Sequence, residues 1–90
     1  MANSDVRSKR LTGTGSAGVG PARIRQIQVF SASGTPRLTM TDGSGGSTVL
    51  DLDFSASETH SVNIPDEGIK VSDINVSVLT NITAITVFFS

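Results

Sequence analysis

The feature that most constrains the fold is a period of two in the apolar residues. In the stretch 48–54 (TVLDLDF), leucine and phenylalanine at even positions alternate with valine and aspartate at odd positions. The same alternation runs through 74–78 and 84–89, and more briefly through 37–41 and 61–64. A period of two puts apolar side chains on one face of a β-strand, and no stretch has helical periodicity with caps. The sequence therefore predicts half-buried antiparallel strands and an all-β chain.

Turn residues separate these runs at short intervals. The segments 33–36 (SGTP), 42–46 (DGSGG) and 65–68 (PDEG) combine glycine with proline or aspartate. Such clusters between alternating runs are typical of the turns of a compact all-β domain. We predict a small antiparallel β-sandwich or jelly-roll-like domain of about seven short strands.

The strand 22–31 (ARIRQIQVFS) has an irregular pattern. Ile27 and Val29 share one parity, whereas Ile24 and Phe30 share the other. Either a β-bulge or a face that contacts another subunit would account for this switch.

The first 21 residues form a separate segment in the sequence. Residues 1–10 are polar and basic, and 11–21 (LTGTGSAGVGP) hold glycine, proline and small side chains. This composition does not supply a packed core. We therefore predict an extended N-terminal arm over 1–21 and a β-sandwich domain over 22–90. We expect the arm to lie against a neighbouring subunit, with a position folded back on its own domain as the alternative.

Size and composition favour association of several copies. The chain has 90 residues, four phenylalanines and neither cysteine, tryptophan nor tyrosine. A domain of this size buries only about 60–65% of the surface of its unfolded chain. Without cysteine it forms no disulfide or thiolate metal site, and oligomerisation is the remaining common source of stability. We expect a homo-oligomer.

Charge is divided unevenly along the chain. Six of the seven basic residues lie within 1–37, and seven of the eight acidic residues lie within 38–90. Such asymmetry favours docking against a charged partner, including another copy of the chain. The residues expected to make this interaction are Arg7, Lys9, Arg10, Leu11, Val19, Arg23 and Arg25.

The motifs of enzymes are weak in this chain. Gly13, Gly15 and Gly18 match G-x-G-x-x-G, but a basic tail precedes them and Pro21 follows, where a dinucleotide-binding fold needs a strand and then a helix. His60 is the single histidine, and no G-x-S-x-G motif accompanies it. We expect no enzymatic activity, no cofactor, and a turn or surface role for His60.

The sequence also gives little support for binding of calcium, nucleic acid or a membrane. Asp42, Asp51 and Asp53 carry oxygen ligands that suit calcium, although aspartates that alternate with leucines are common on solvated strands. The basic residues of the arm have no aromatic residues interleaved with them, so nucleic acid is disfavoured as a partner. The longest apolar run is well below the roughly 20 residues of a membrane helix.

Four segments resemble a known group of proteins. They are GPARIRQIQVFS, TPRLTMTDGSGGSTVLDLDF, HSVNIPDEGIKV and VSVLTNITAITVFFS. Together, over roughly 19–90, they resemble small virion proteins of tailed bacteriophages of the marine podovirus type. The shared outline is a D-G-x-G-G hairpin, alternating Leu and Asp, an I-P-x-x-G-I turn and a final T-N-x-T-x-x-T-V-F strand. Many members end in Phe-Tyr, whereas this chain has Phe88-Phe89.

The resemblance implies a structural role and a location in the virion. The leading expectation is a head decoration or cement protein that binds and bridges capsid subunits, with the major capsid protein or other virion proteins as partners. The alternative within the same class is a tail, adaptor or fibre-base component. An alternative of another class is a carbohydrate- or host-surface-binding module, for which the lack of tryptophan and tyrosine is unfavourable.

Overall fold

The structure, a computed structural model, describes residues 6–65 and 67–90. Within these residues the chain forms nine β-strands and no helix. The strands are β1 (Arg7–Leu11), β2 (Gly15–Ser16), β3 (Ala22–Ser31), β4 (Arg37–Asp42), β5 (Thr48–Asp53), β6 (Thr59–Asn63), β7 (Ile69–Val71), β8 (Ile74–Thr80) and β9 (Ile82–Phe89). The prediction of an all-β chain is confirmed. Three strands have no counterpart among the predicted segments: β1 and β2 lack apolar alternation, and β7 has only three residues.

The strands form two antiparallel sheets. The first, sheet A, has the order β1-β9-β3-β6, and β7 pairs with the start of β3. The second, sheet B, has the order β2-β8-β4-β5. The sheets pack face to face as a small β-sandwich, in agreement with the predicted fold class. No helix among the described residues is long or apolar enough to span a membrane.

Both sheets contribute to one apolar core. Sheet A supplies Ile24, Ile27, Val29, Ile85, Val87 and Phe89, and sheet B supplies Leu38, Met40, Ile74 and Val76. Each of these side chains is at most 4% exposed. Burial of an aliphatic or aromatic side chain of this size contributes about 1.5–3 kcal/mol. The apolar strand β9 lies between β1 and β3, so it is buried inside its own sandwich.

A bulge explains the irregular parity of β3. Against β9, Ile24 pairs with Phe89 whereas Gln26 pairs with Phe88, so Arg25 is an extra residue in the strand. The extra residue allows Ile24 and the later apolar residues of β3 to face the same core. Of the two explanations left open by the sequence, the structure contains the bulge.

Bulges in sheet B overturn two details of the predicted alternation. Thr39 pairs with Val78 and Met40 with Val76, so Val78 does not share the inward face of Val76. A register shift between Met40 and Thr41 also turns Val49 toward the core, although the sequence placed it on the face of the aspartates. Strict alternation assumes a regular ladder, and an extra residue reverses the face of every later residue in the strand.

The described part of the predicted arm belongs to the two sheets. Strand β1 pairs with β9 at the edge of sheet A, and β2 pairs with β8 at the edge of sheet B. Ala17 is buried, and Leu11 and Val19 pack against the core. Residues 6–21 therefore lie on their own domain, which was the alternative to the expected position against a neighbouring subunit. Residues 1–5 lie outside the described part.

The turn before β7 depends on a glycine. Gly68 has a φ of 77°, and a Cβ at this position would lie 2.5 Å from the backbone oxygen of Ile24. Only glycine satisfies both the left-handed conformation and the close approach. The turn was predicted at 65–68; Asp66 within it lies outside the described residues. Its consequence is that β7 begins directly beside the first residues of β3.

Candidate functional site

The two sheets carry opposite charge. Sheet A strands bear six basic residues, which are Arg7, Lys9, Arg10, Arg23, Arg25 and Lys70. Sheet B strands bear Asp42, Asp51 and Asp53 against the single Arg37, and Asp73 directly precedes β8. Glu58 and Glu67 lie in turns that lead into sheet A. Because β1 and β3 enter sheet A whereas β4 and β5 enter sheet B, the charge division along the sequence becomes a division between layers.

Four cations of sheet A line one depression, which we call the basic groove. It has a volume of about 970 Å³. Its described lining residues are Val6, Arg7, Pro21, Ala22, Arg23, Arg25, Lys70 and Ser90. None of these described side chains is acidic. Like charges held together in this way repel one another and produce a positive potential that attracts anions.

Strand pairing brings the cations of the basic groove together. Arg23 pairs with Lys70 between β3 and β7. Arg23 and Ser90 exchange two backbone hydrogen bonds, at 2.8 and 3.0 Å. Arg25 lies in the bulge, and its Nε donates a hydrogen bond of 2.8 Å to Ser90 Oγ. The four cations of the groove therefore lie on paired strands.

A second, smaller depression lies further along the outer face of sheet A. It has a volume of about 160 Å³ and is lined by Arg10, Gln28, Val29, Phe30, Thr59, Ala84 and Thr86. Phe30 is 52% exposed and so presents its ring to solvent. Arg10 pairs with Thr86, which in turn pairs with Gln28, so these side chains form one row across three strands.

A row of residues connects the two depressions. Ser8 pairs with Phe88, Phe88 with Gln26, and Gln26 with Asn63. Directly paired residues of antiparallel strands point to the same side of the sheet. The outer face of sheet A therefore carries cations, two phenylalanines, amides and hydroxyl groups. We call this surface the A face.

The residues predicted to interact are distributed over three environments. Arg7, Arg23 and Arg25 come together in the basic groove, and Arg10 lies on the A face. Lys9 is exposed but pairs with Val87, whose side chain lies on the side of sheet A opposite to the A face. The two remaining residues, Leu11 and Val19, contact the core of their own domain.

Three residues of the A face were not predicted from the sequence to take part in an interaction. Lys70 lies 47 positions after Arg23, and only the β3–β7 pairing makes them neighbours. For Phe30 and Phe88 the sequence indicated only the face of the strand on which each lies, and neither was predicted to interact. The parity switch at Phe30 was the one available signal, because an apolar residue out of phase with its strand faces solvent.

One acidic residue of sheet B, Asp51, is held by contacts within the protein. Arg37 donates hydrogen bonds from Nε and Nη2 to the two carboxylate oxygens of Asp51, at 3.1 and 3.0 Å. Thr39 Oγ1 donates a further one at 3.0 Å. The hydrogen bond from Arg37 and then that from Thr39 lower the pKa of Asp51 below its ordinary value, and Asp51 raises the pKa of Arg37. Among the residues described, no three His, Cys, Asp or Glu side chains are grouped so as to hold a metal ion.

The remaining motifs have structural surroundings. His60 lies in β6 and is half-buried; its Nε2 is 3.1 Å from the carbonyl oxygen of Ser55, and its ring centre is 5.1 Å from that of Phe54. The G-x-G-x-x-G match lies around β2 at the edge of sheet B and does not open a helix. Comparison of the chain with known protein families, with curated proteins and with solved structures gives no match.

Proposed function

We propose that this chain is a non-enzymatic structural protein of a tailed-bacteriophage virion. In this role it is a head decoration or cement protein, present in many copies, that binds and bridges capsid subunits. Its partners are the major capsid protein or other virion proteins, together with further copies of itself. The sequence resemblance supplies the virion assignment, and the surface of the molecule supports a bridging role.

The observation that carries the bridging role is the opposite charge of the two sheets. A protein that bridges two neighbouring subunits needs two surfaces that bind different partners. Here the six basic residues of sheet A and the aspartates of sheet B provide them on opposite layers of a thin sandwich. Complementary charge steers association and fixes orientation, even where it adds little affinity.

The edge strand β1 supports attachment to a neighbouring subunit. It lies at the border of sheet A, and β9 is its one strand partner among the described residues. An edge strand presents backbone N–H and C=O groups that can pair with a strand of another chain. Arg7 and Lys9 add positive charge there and favour an acidic partner strand.

Two side chains of types that can serve catalysis, His60 and Asp51, make contacts within the fold. His60 contacts Phe54 and the Ser55 carbonyl, and Asp51 is held by Arg37 and Thr39. These contacts support a binding and structural role.

The copy number in purified particles tests this proposal. We expect quantitative mass spectrometry to give a ratio to the major capsid protein near one, or a simple fraction of it. A number that matches a single small ring would move the protein to the tail or a fibre base. Absence of the chain from particles would overturn the virion role.

A further inference from the structure

We propose that the A face is a binding site for single-stranded nucleic acid. This inference concerns the isolated chain and does not depend on the virion role. The sequence disfavoured nucleic acid because no aromatic residues lie among the basic residues of the arm. Strand pairing changes that relation, since it interleaves Phe30 and Phe88 with cations that are distant in the sequence.

Cations occur toward both ends of the A face. Arg23, Arg25 and Lys70 lie in the basic groove at the start of β3, and Arg10 lies two rows further along. From Arg23 to Phe30 the strand spans about 23 Å at roughly 3.3 Å per residue. A flexible polyanion that follows β3 would therefore meet positive charge along its path, as phosphate backbones do in proteins that bind single strands.

Phe30 gives the face a stacking surface. Among the described residues this ring is the most exposed large apolar side chain, 52% exposed beside Arg10 and Gln28. Bases stack on aromatic rings without regard to sequence, and a neighbouring guanidinium adds a cation–π contribution. Phe88, half-buried in the connecting row, continues the apolar surface between the two depressions.

The polar groups of the face suit exposed base edges. Gln26, Gln28 and Asn63 each carry both donors and an acceptor, and the hydroxyls of Ser61 and Thr86 can do either. A duplex keeps its base faces stacked internally and so cannot use Phe30. A neutral sugar carries no charge that the cations of the face would attract. Single-stranded nucleic acid can use the cations for its phosphates, the phenylalanine rings for stacking, and the polar side chains for its base edges.

Binding of a fluorescein-labelled oligothymidylate of about 12 nucleotides, followed by anisotropy, tests the proposal. If the three cations Arg10, Arg23 and Lys70 each neutralise one phosphate, log affinity should fall against log salt with a slope of about −2. The affinity would then drop roughly 20-fold between about 50 mM and about 200 mM salt. A duplex of equal length should bind more weakly.

The variant Phe30→Ala separates stacking from charge. Loss of one stacked base should weaken binding by roughly 5- to 150-fold while the salt slope is unchanged. Because Phe30 is exposed, the fold should persist, and circular dichroism checks this.

Two neighbouring residues provide a matched pair of charge variants. Arg10→Glu and Lys9→Glu change the net charge equally on the same edge strand, but Arg10 pairs with Thr86 on the A face and Lys9 pairs with Val87 on the other side. We expect Arg10→Glu to weaken binding by about tenfold or more and Lys9→Glu by no more than about threefold, because exposed charges are screened beyond about 10 Å.

Four results would overturn the proposal. They are no binding at low salt, equal binding of the duplex, equal loss in the two charge variants, and an unchanged affinity of Phe30→Ala. Equal binding of polyglutamate would also overturn it and would indicate an acidic protein surface, such as sheet B of another copy, as the ligand. None of these results bears on the copy number in particles.

Discussion

The guanidinium of Arg7 lies 5.5 Å from the centre of the Phe89 ring, so a cation–π contact joins the first described strand to the last. The same two residues are partners in the β1–β9 pairing. Phe89 is 4% exposed and belongs to the core, whereas Arg7 lines the basic groove. One contact therefore connects the interior of the sandwich to its most basic surface.

The two partners of this contact should differ greatly in their importance for stability. We expect Phe89→Ala to lower the free energy of unfolding by about 3–5 kcal/mol, because it leaves a cavity in the core. Arg7→Gln should lower it by about 0.5–1 kcal/mol, the contribution of an exposed cation–π contact. Urea unfolding followed by circular dichroism measures both. Similar losses in the two variants would contradict the described packing of Phe89.

Gly68→Ala should destabilise the turn that places Lys70 in the basic groove. The left-handed backbone costs a non-glycine residue about 1–2 kcal/mol, and the contact with the Ile24 oxygen adds to this. Gly13→Ala is the matched control, because a Cβ there meets no atom within 4 Å and its φ is not left-handed. Thermal unfolding should show a clear loss for Gly68→Ala alone. Equal melting temperatures would show that the turn can relax.

A buried hydrogen-bond chain in sheet B gives a further prediction. Asn75 Nδ2 donates to Thr41 Oγ1 at 2.9 Å, and that hydroxyl donates to the Gly43 oxygen at 2.7 Å. Thr41→Val keeps the shape but leaves a buried amide without its acceptor, so we expect a loss of about 1–3 kcal/mol in the free energy of unfolding. Thr39→Val, which removes an exposed hydrogen bond to Asp51, should cost less. The reverse order in urea unfolding would contradict the burial of Asn75.

Asp51 should give the protein a small dependence of stability on acid pH. Its pKa is lower in the folded chain than in the unfolded chain, because Arg37 and Thr39 donate hydrogen bonds to the charged form. The carboxylate therefore stabilises the fold above the ordinary carboxyl pKa of about 4, and this contribution is lost as pH falls through the folded value.

Asp51→Asn tests this linkage. The variant should melt slightly below the wild type at neutral pH, and the difference should diminish as the pH falls below the ordinary carboxyl pKa of about 4. The effect is small because the side chains of Arg37 and Asp51 are 53% and 47% exposed. Asp53→Asn removes the same charge from the same strand but leaves the hydrogen bonds of Arg37 and Thr39 to Asp51 in place, so its melting temperature at neutral pH should stay close to that of the wild type. A constant difference between Asp51→Asn and wild type at all pH values would contradict the ion pair.

The sequence predicts the layers of this fold better than its register. Alternation identified Leu38, Met40, Ile85 and Val87 as core residues, because a half-buried strand must repeat every two residues. It placed Val49 and Val78 on the wrong faces of their strands. A bulge reverses the faces of the residues that follow it, and no residue type in the sequence marks its position. Strand β1 was missed as well, because its pairing depends on the exposed edge of β9 and not on its own apolar residues.

The candidate site was predicted only in part for the same reason. Arg7, Arg23 and Arg25 were singled out by charge, and the structure brings them together. Lys70 joins them through the β3–β7 pairing, and Phe30 lies beside Arg10 because β9 pairs with both β1 and β3. Those pairings join residues that are distant in the sequence, so local sequence patterns do not predict them.

The bulge at Arg25 makes this point of β3 tolerant of a change in chain length. Removal of Arg25 would leave Ile24, Gln26 and Ile27 to alternate regularly against β9, so the apolar residues on both sides would keep their place in the core. Removal of a residue from the regular part of β3, such as Gln28, would turn Val29 out to solvent. Related chains can therefore gain or lose one residue at position 25, and with it one charge of the basic groove, while the sandwich itself is preserved.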